Sequence, residues 1–269
     1  AIYTFYTANN DAVANDSRPY SQTIFEASPL NTVIKQGAPG QAWQPHSDPF
    51  MFFDRTIKMK YGFNIADEVI MFSYDEVTEE LKLNEGIRYY QPNTLHASKT
   101  YDEHHNEVIQ YVDNEDKILL KRVQYDRDNS AKALYADTYY IYDSYGNLVC
   151  VLPPEAVKAL PAIEAINNFA FQYRYDERKR MIKKKVPGAD WVYMVYDDKD
   201  RLVMTQDGNQ RQQSPSEWTF TKYDMLSRPV LTGIYRDPQR LSLEQVQALV
   251  NAFTATHPYE VLGGNIHGY

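Results

Sequence analysis

"VYMVYDDKDRLVMTQDGN", residues 192–209, is an apolar, aromatic-rich run, a short polar stretch and a second apolar run. It decides the fold because the chain repeats it, and self-similarity at a spacing of a few tens of residues outweighs a local motif. "YYIYDSYGNLVCVLPP" (139–154), "FQYRYDERKRMIKKKVPG" (171–188) and "FTKYDMLSRPVLTG" (220–233) share one pattern. Each carries Tyr-Asp, then Asn or Arg four residues after the Asp, then Val or Ile two further on. The pairs are Tyr142-Asp143, Tyr175-Asp176, Tyr196-Asp197 and Tyr223-Asp224, followed by Asn147, Arg180, Arg201 and Arg228. Seven Tyr-Asp pairs occur where the composition gives about two by chance. Asp102 fits through Asn106 and Val108, and Asp113, preceded by Val112, fits through Lys117 and Leu119. Asp75 and Asp126 follow Tyr but lack the downstream residues.

Each copy reads as a β-hairpin: a β-branched and aromatic run, an Asp that opens a turn of three to five residues, and a second run. The Asp carboxylate accepts a hydrogen bond from the backbone two residues on. Gly146 supplies the positive φ that such loops need. Lys179, Asp200 and Ser227 stand at that place in other copies, and a Lys adopts positive φ poorly, so the turn geometry is expected to differ between copies. The Tyr before the Asp and the Val or Ile after the turn are expected to pair across the strands. One hairpin is marginal in water, so the unit of stability is the array.

Tyr is the compositional anomaly, 23 against 11 Phe and 3 Trp. Half-buried sheet positions with the hydroxyl reaching water explain it, and an aromatic platform for sugars is the functional alternative. A net charge of −8 argues against nucleic acid as a partner. The local basic cluster, Arg178 to Arg180 with Lys183 to Lys185, reads as a charged strand edge. Cys150 is the single cysteine, so no intramolecular disulfide forms and the compartment is not legible from it. No run of 18 apolar residues offers a membrane span. Without a start methionine or signal peptide, the chain reads as a piece of a longer protein, and trimming of a leader would give the same start.

Three regions are expected: 1–100, an N-terminal β region with a degenerate repeat; 101–235, the hairpin array; and 236–269, an amphipathic helix with a C-terminal segment. In "RPYSQTIFEASPLNTVIKQGAPGQAW" (18–43), Glu26 stands for the Asp, and Asn31 and Val33 follow with one extra loop residue. "TIKMKYGFN" and "EVIMFSYDEVTEELKL" are expected to be strands joined by a turn at Asn64 to Asp67. Residues 155–160 after Pro153 and Pro154 suit a short helix. "LSLEQVQALVNAFTATHP" predicts a longer one, with a capping box of Ser242 and Gln245 and an apolar face of Leu243, Val246, Leu249, Val250 and Phe253.

These repeats, with "PYSQTIFEASPLNTVIKQGAPGQAW", "VLPPEA", "TQDGNQR" and "KYDMLSRPVLTGIY", resemble the Rhs/YD-repeat proteins of Bacteroidetes, from about Arg18 to Tyr269. The resemblance implies an all-β fold in which antiparallel hairpins form a curved or shell-like sheet. It also implies a large secreted or cell-surface protein whose shell encloses a C-terminal toxin in some members. Its partners would be the remainder of the parent protein, a toxin or a surface glycan. No counterpart of the self-cleaving C-terminal core region, or of a toxin, is present in the sequence, so autoproteolysis is not carried over.

Other sites are weaker. His104 and His105 beside Asp102 and Glu103 are adjacent residues that point apart, a poor basis for a metal site. "DDKD" lacks the glycine and distal acid of a calcium loop. Asp197, Asp198 and Asp200 belong to a repeated turn, whereas a glycosidase dyad would occur once. No nucleophile elbow, phosphate loop or His-Glu-x-x-His helix occurs. The expectation is therefore a non-catalytic interaction module without cofactor, whose turn residues Tyr142, Asp143, Gly146, Tyr175, Asp176, Arg180, Tyr196, Asp197, Arg201, Tyr223, Asp224 and Arg228 are structural. The alternative is carbohydrate binding or adhesion through Trp43, Trp191 and Trp218, and a glycan-active enzyme comes third.

Overall fold

The computed structural model describes residues 16–47, 54–83, 88–127, 132–162 and 168–260. The described residues are mainly β, with antiparallel pairing throughout and three α-helices. The strands are β1 (Gln22–Phe25), β2 (Val33–Gly37), β3 (Ile57–Phe63), β4 (Ser73–Asp75), β5 (Glu80–Lys82), β6 (His96–Tyr101), β7 (Glu107–Val112), β8 (Ile118–Arg127), β9 (Ala133–Tyr142), β10 (Leu148–Leu152), β11 (Phe171–Tyr175), β12 (Met181–Lys185), β13 (Val192–Tyr196), β14 (Leu202–Gln206), β15 (Ser216–Tyr223) and β16 (Pro229–Asp237). The helices are α1 (Pro154–Lys158), α2 (Gly208–Gln212) and α3 (Leu243–Thr256). The chain forms two compact units, Ala1–Ser73 with Leu83–Tyr140, and Tyr74–Lys82 with Ile141–Tyr269.

In the first unit the strand order is β1-β2-β3-β6-β7-β8-β9. The degenerate repeat is a hairpin of β1 and β2, with Asn31 at φ 49° and the Glu26 N–H bonded to the Thr32 carbonyl at 2.9 Å. The hairpin expected across Asn64 to Asp67 does not form. β3 pairs with β6, from Lys58 opposite Tyr101 to Phe63 opposite His96, while β4 and β5 pair with each other. Asn64 is the reason: fully buried, it donates to the Gln91 carbonyl at 2.8 Å and accepts from the Thr94 and Leu95 N–H groups at 3.0 and 2.8 Å. A buried amide satisfied this way ties the end of β3 to the start of β6. The core of this unit is Val69, Leu95, Ala97, Ile109, Tyr111, Leu120 and Tyr139.

In the second unit β10 to β16 follow one another in chain order. α3 begins at the expected capping box, Ser242 Oγ accepting from the Gln245 N–H and Gln245 Oε1 from the Ser242 N–H. Its first half packs on the sheet, where Leu243 and Val246 join Val195 and Trp218 in a buried cluster. Gln247 holds it there by exchanging hydrogen bonds with the Tyr196 backbone, 2.6 and 3.2 Å. The expected apolar face is thus only partly buried: Leu249 and Phe253, in the second half, are 57% and 50% exposed.

Trp218 is 0% exposed, and truncating it leaves a ring-sized void among Val195, Leu243 and Val246. Trp218→Ala is expected to lower stability by about 3–5 kcal/mol, read as a reduced urea midpoint. Leu249→Ala should change it by less than about 1 kcal/mol; comparable losses would place α3 wrongly on the sheet.

Candidate functional site

The repeated acids Asp102, Asp113, Asp143, Asp176, Asp197 and Asp224 all open turns of one geometry. In each the Asp N–H donates to the carbonyl four residues on, at 3.0 Å, and the N–H three residues on donates back to the Asp carbonyl, at 2.9–3.2 Å. One carboxylate oxygen accepts from the N–H groups two and four residues on: for Asp197 these are Lys199 and Arg201, both at 2.9 Å. The other oxygen takes the side chain four residues on, Asn106 and Asn147 through an amide at 2.8 Å and Arg180, Arg201 and Arg228 through Nε at 2.6–2.7 Å. Asp197 is 1% exposed, its charge met entirely within the turn.

The expected variation between copies is absent. The residue three after the Asp has φ near +60° whether it is His105 (65°), Asp116 (60°), Lys179 (60°), Asp200 (62°) or Ser227 (60°), and Gly146 stands at 80°. A left-handed Lys costs on the order of 1 kcal/mol, and the charge-assisted bonds from both carboxylate oxygens offset that several times over. The acid dictates the turn and the occupant follows.

The expected pairing of Tyr with the later Val or Ile is also corrected. Tyr175, Tyr196 and Tyr223 lie opposite Met181, Leu202 and Pro229, five residues after the Asp. The register then slips by one, so that Ile182, Val203 and Val230 are the extra residues of β-bulges, as Leu119 is between β7 and β8. A bulge of this kind bends and twists its strand.

The tyrosines act between hairpins. Tyr175 donates its hydroxyl to the Leu148 carbonyl at 3.0 Å, Tyr196 to Met181 at 2.8 Å and Tyr223 to Leu202 at 2.9 Å. Each acceptor lies five residues after the Asp of the preceding copy. Burial pushes the three phenol pKa values up, which keeps the hydroxyls protonated as donors. Where the closing residue is Arg, it adds a second contact. Arg180 lies 4.9 Å from the Tyr196 ring and donates to the Asp197 carbonyl at 3.0 Å, and Arg201 lies 5.0 Å from the Tyr223 ring. One guanidinium thus closes its own turn and stacks on the next hairpin. Arg180 and Arg178 also bind Asp200 of the next turn at 2.9 and 2.7 Å, so part of the basic cluster is paired with the repeat beside it.

Asp75 opens a related turn, accepting from the Val77 and Thr78 N–H groups at 2.9 and 3.0 Å, while Asp126 lies within β8. Trp218 is buried and presents no face to a sugar; Trp191 carries the Arg174 guanidinium 5.1 Å from its ring, and Trp43 carries Arg55 at 5.6 Å. His105 occupies the left-handed position of the Asp102 turn. A cleft of about 370 Å³ is lined by five acids, of which four are engaged: Asp143 and Asp176 in their turns, Glu76 by the Ser144 N–H, and Glu79 by Arg174 and Lys183; the fifth is Glu177. Cys150 is buried, which pushes its thiol up to about 12 and away from reactivity. α2 was not legible as an element, although Asp207 and Gln210 form its capping box. An apolar groove of about 410 Å³ lies between α3 and β14 to β16, lined by Phe220, Tyr235, Leu249, Phe253 and Tyr259 among others.

Asp197→Ala is expected to cost about 3–5 kcal/mol, because Arg201 and two turn N–H groups lose a buried anionic partner, and Tyr196→Phe about 1 kcal/mol. Equal costs in urea unfolding would remove the acid from its leading role. The Arg228 N–H and guanidinium hold the Asp224 carboxyl below the ordinary aspartate range. The stability that follows is present above about pH 4 and lost as pH falls through the folded value. Asp224→Asn should flatten the acid limb of the urea midpoint against pH; an unchanged limb would contradict this.

No curated protein matches the chain. The model of a domain of unknown function, DUF6443, matches residues 1–57. Among solved structures, TcdB2-TccC3 aligns at 13% identity and TM-score 0.45, covering 82% of this chain and 11% of that one. The same pair without its hypervariable C-terminal region gives 13% and 0.44, covering 82% and 11%. A Photorhabdus luminescens Tc holotoxin pore with a substituted TccC3 gives 12% and 0.44, covering 86% and 12%. The chain therefore spans about a tenth of the length of the structures it matches. The Tyr-Asp turns of uniform geometry, and the tyrosines that bind hairpin to hairpin, resemble an Rhs/YD-repeat array.

Proposed function

We propose that this chain is a non-catalytic structural and interaction segment of a larger secreted or cell-surface Rhs/YD-repeat protein, part of a curved β shell that encloses or presents a partner or toxin. The observation that carries the reading is the repeated junction. The same acid closes each turn, and a tyrosine fastens successive hairpins of the second unit, with the carboxylates spent on the fold. A bulge in each of these hairpins supplies the local bend that a curved sheet requires. Among the described residues no helix is long and apolar enough to cross a membrane. The carbohydrate reading is weakened by the burial of Trp218.

The test is limited proteolysis of the parent protein. Segments that follow this chain should resist protease, and Arg180→Leu with Arg201→Leu should expose them at roughly tenfold lower protease. If those segments are cleaved as readily in the parent as in isolation, enclosure is wrong. Glycan binding abolished by Trp191→Ala in a folded chain would transfer the function to sugar recognition.

A further inference from the structure

The β4–β5 hairpin stands apart from the long sheet: among the described residues its strands pair only with each other, and Tyr74–Lys82 pack within the second unit. None of these residues is buried, and Val77 at the tip is 94% exposed. Charge and hydrogen bonding hold the hairpin instead. Glu76 accepts from the Ser144 N–H at 2.9 Å, and Glu79 meets Arg174 Nε at 3.3 Å and Lys183 at 3.7 Å. The Glu79 carbonyl accepts from Arg174 Nη2, and the Tyr74 ring lies 5.2 Å from the same guanidinium. Arg174 is only 6% exposed as a result, with the Trp191 ring 5.1 Å away. The cleft of about 370 Å³ lies here, walled by Tyr74, Glu76 and Glu79 of the hairpin and by Val149, Arg174 and Tyr175 of the sheet. The hairpin is therefore pinned at a few points and does not lie flat on the strands.

A two-stranded hairpin is marginal by itself. An element with few buried apolar contacts opens while the rest of its unit stays folded. We propose that β4–β5 is a latch that opens and closes over Arg174 without unfolding of the sheet. Closed, Glu79 and Tyr74 cover the guanidinium. Open, they release Arg174 and Lys183 to solvent beside Trp191, so the latch gates a cationic, aromatic surface. Arg174 keeps its bond to the Tyr173 carbonyl, 2.9 Å, on its own strand, and β11 stays in place. Glu79, with its side chain 45% exposed, contributes the part of the closure that salt screens. The latch does not depend on whether the parent protein encloses anything.

The test is modification of arginine by phenylglyoxal in the full chain, followed residue by residue through mass spectrometry of its peptides. Arg174 should react slowly at low salt and roughly tenfold faster in Glu79→Gln. Raising NaCl from about 0.05 M to about 0.5 M should speed its reaction roughly threefold. Arg201, whose side chain is 10% exposed in its repeat turn, is the internal reference and should keep its rate throughout. An Arg174 rate that neither the substitution nor salt changes overturns the proposal. So does a parallel rise at Arg201, because the unit would then be opening as a whole. The salt series uses the unaltered chain, so it decides even if Glu79→Gln fails to fold.

Discussion

The structure depends on a carboxylate that is satisfied where it stands. In each repeated turn one aspartate oxygen receives two backbone N–H groups and, where Asn or Arg closes the turn, the other receives that side chain. These contacts fix four consecutive residues of backbone, and charged hydrogen bonds of this kind contribute about 1.5–3 kcal/mol each. Lys179 and Ser227 therefore hold φ near +60° without glycine's freedom. The same contacts occupy the acceptor oxygens of these acids within their own turns.

Strength between hairpins has a direction. A tyrosine reaches back to a carbonyl five residues after the preceding acid, while an arginine reaches forward over the next tyrosine. Each contact is modest, about 1 kcal/mol for the hydroxyl and about 0.5–2 kcal/mol for the stacked cation. Their sum over neighbours is the interface term on which a repeat array lives. The cluster of Trp218, Val195, Leu243 and Val246 then anchors α3 across strands that the junctions have already brought together.

The hairpin architecture was legible because the repeat is periodic and its acid has one physical use. The capping box of α3 was legible for the same reason: Ser242 and Gln245 satisfy backbone donors that any helix start exposes. What escaped the sequence depends on partners distant along the chain. The tyrosine hydroxyl contacts span 15 to 27 residues, and the bulge that turns Val203 into an extra residue is a property of two strands together. Asn64 gave no sign that it would bind residues 91–95 and so cancel a local hairpin. α2 was hidden by Gly208 at its first position, a poor helix former that the Asp207 and Gln210 box compensates.

The residue four after the acid separates two tasks that the Tyr-Asp pair alone does not. Asn106 and Asn147 close their turns with an amide and end there. Arg180 and Arg201 close theirs with Nε and still have the rest of the guanidinium plane to lay on the neighbouring ring. A lysine has no second donor geometry of this kind, because its ammonium is a point charge rather than a fork; in the Asp113 turn, Lys117 binds Glu115 instead. Arg180 and Arg201 therefore add a stacked cation to the tyrosine junction, whereas the Asn147 turn is joined to the next hairpin by the Tyr175 hydroxyl on the Leu148 carbonyl.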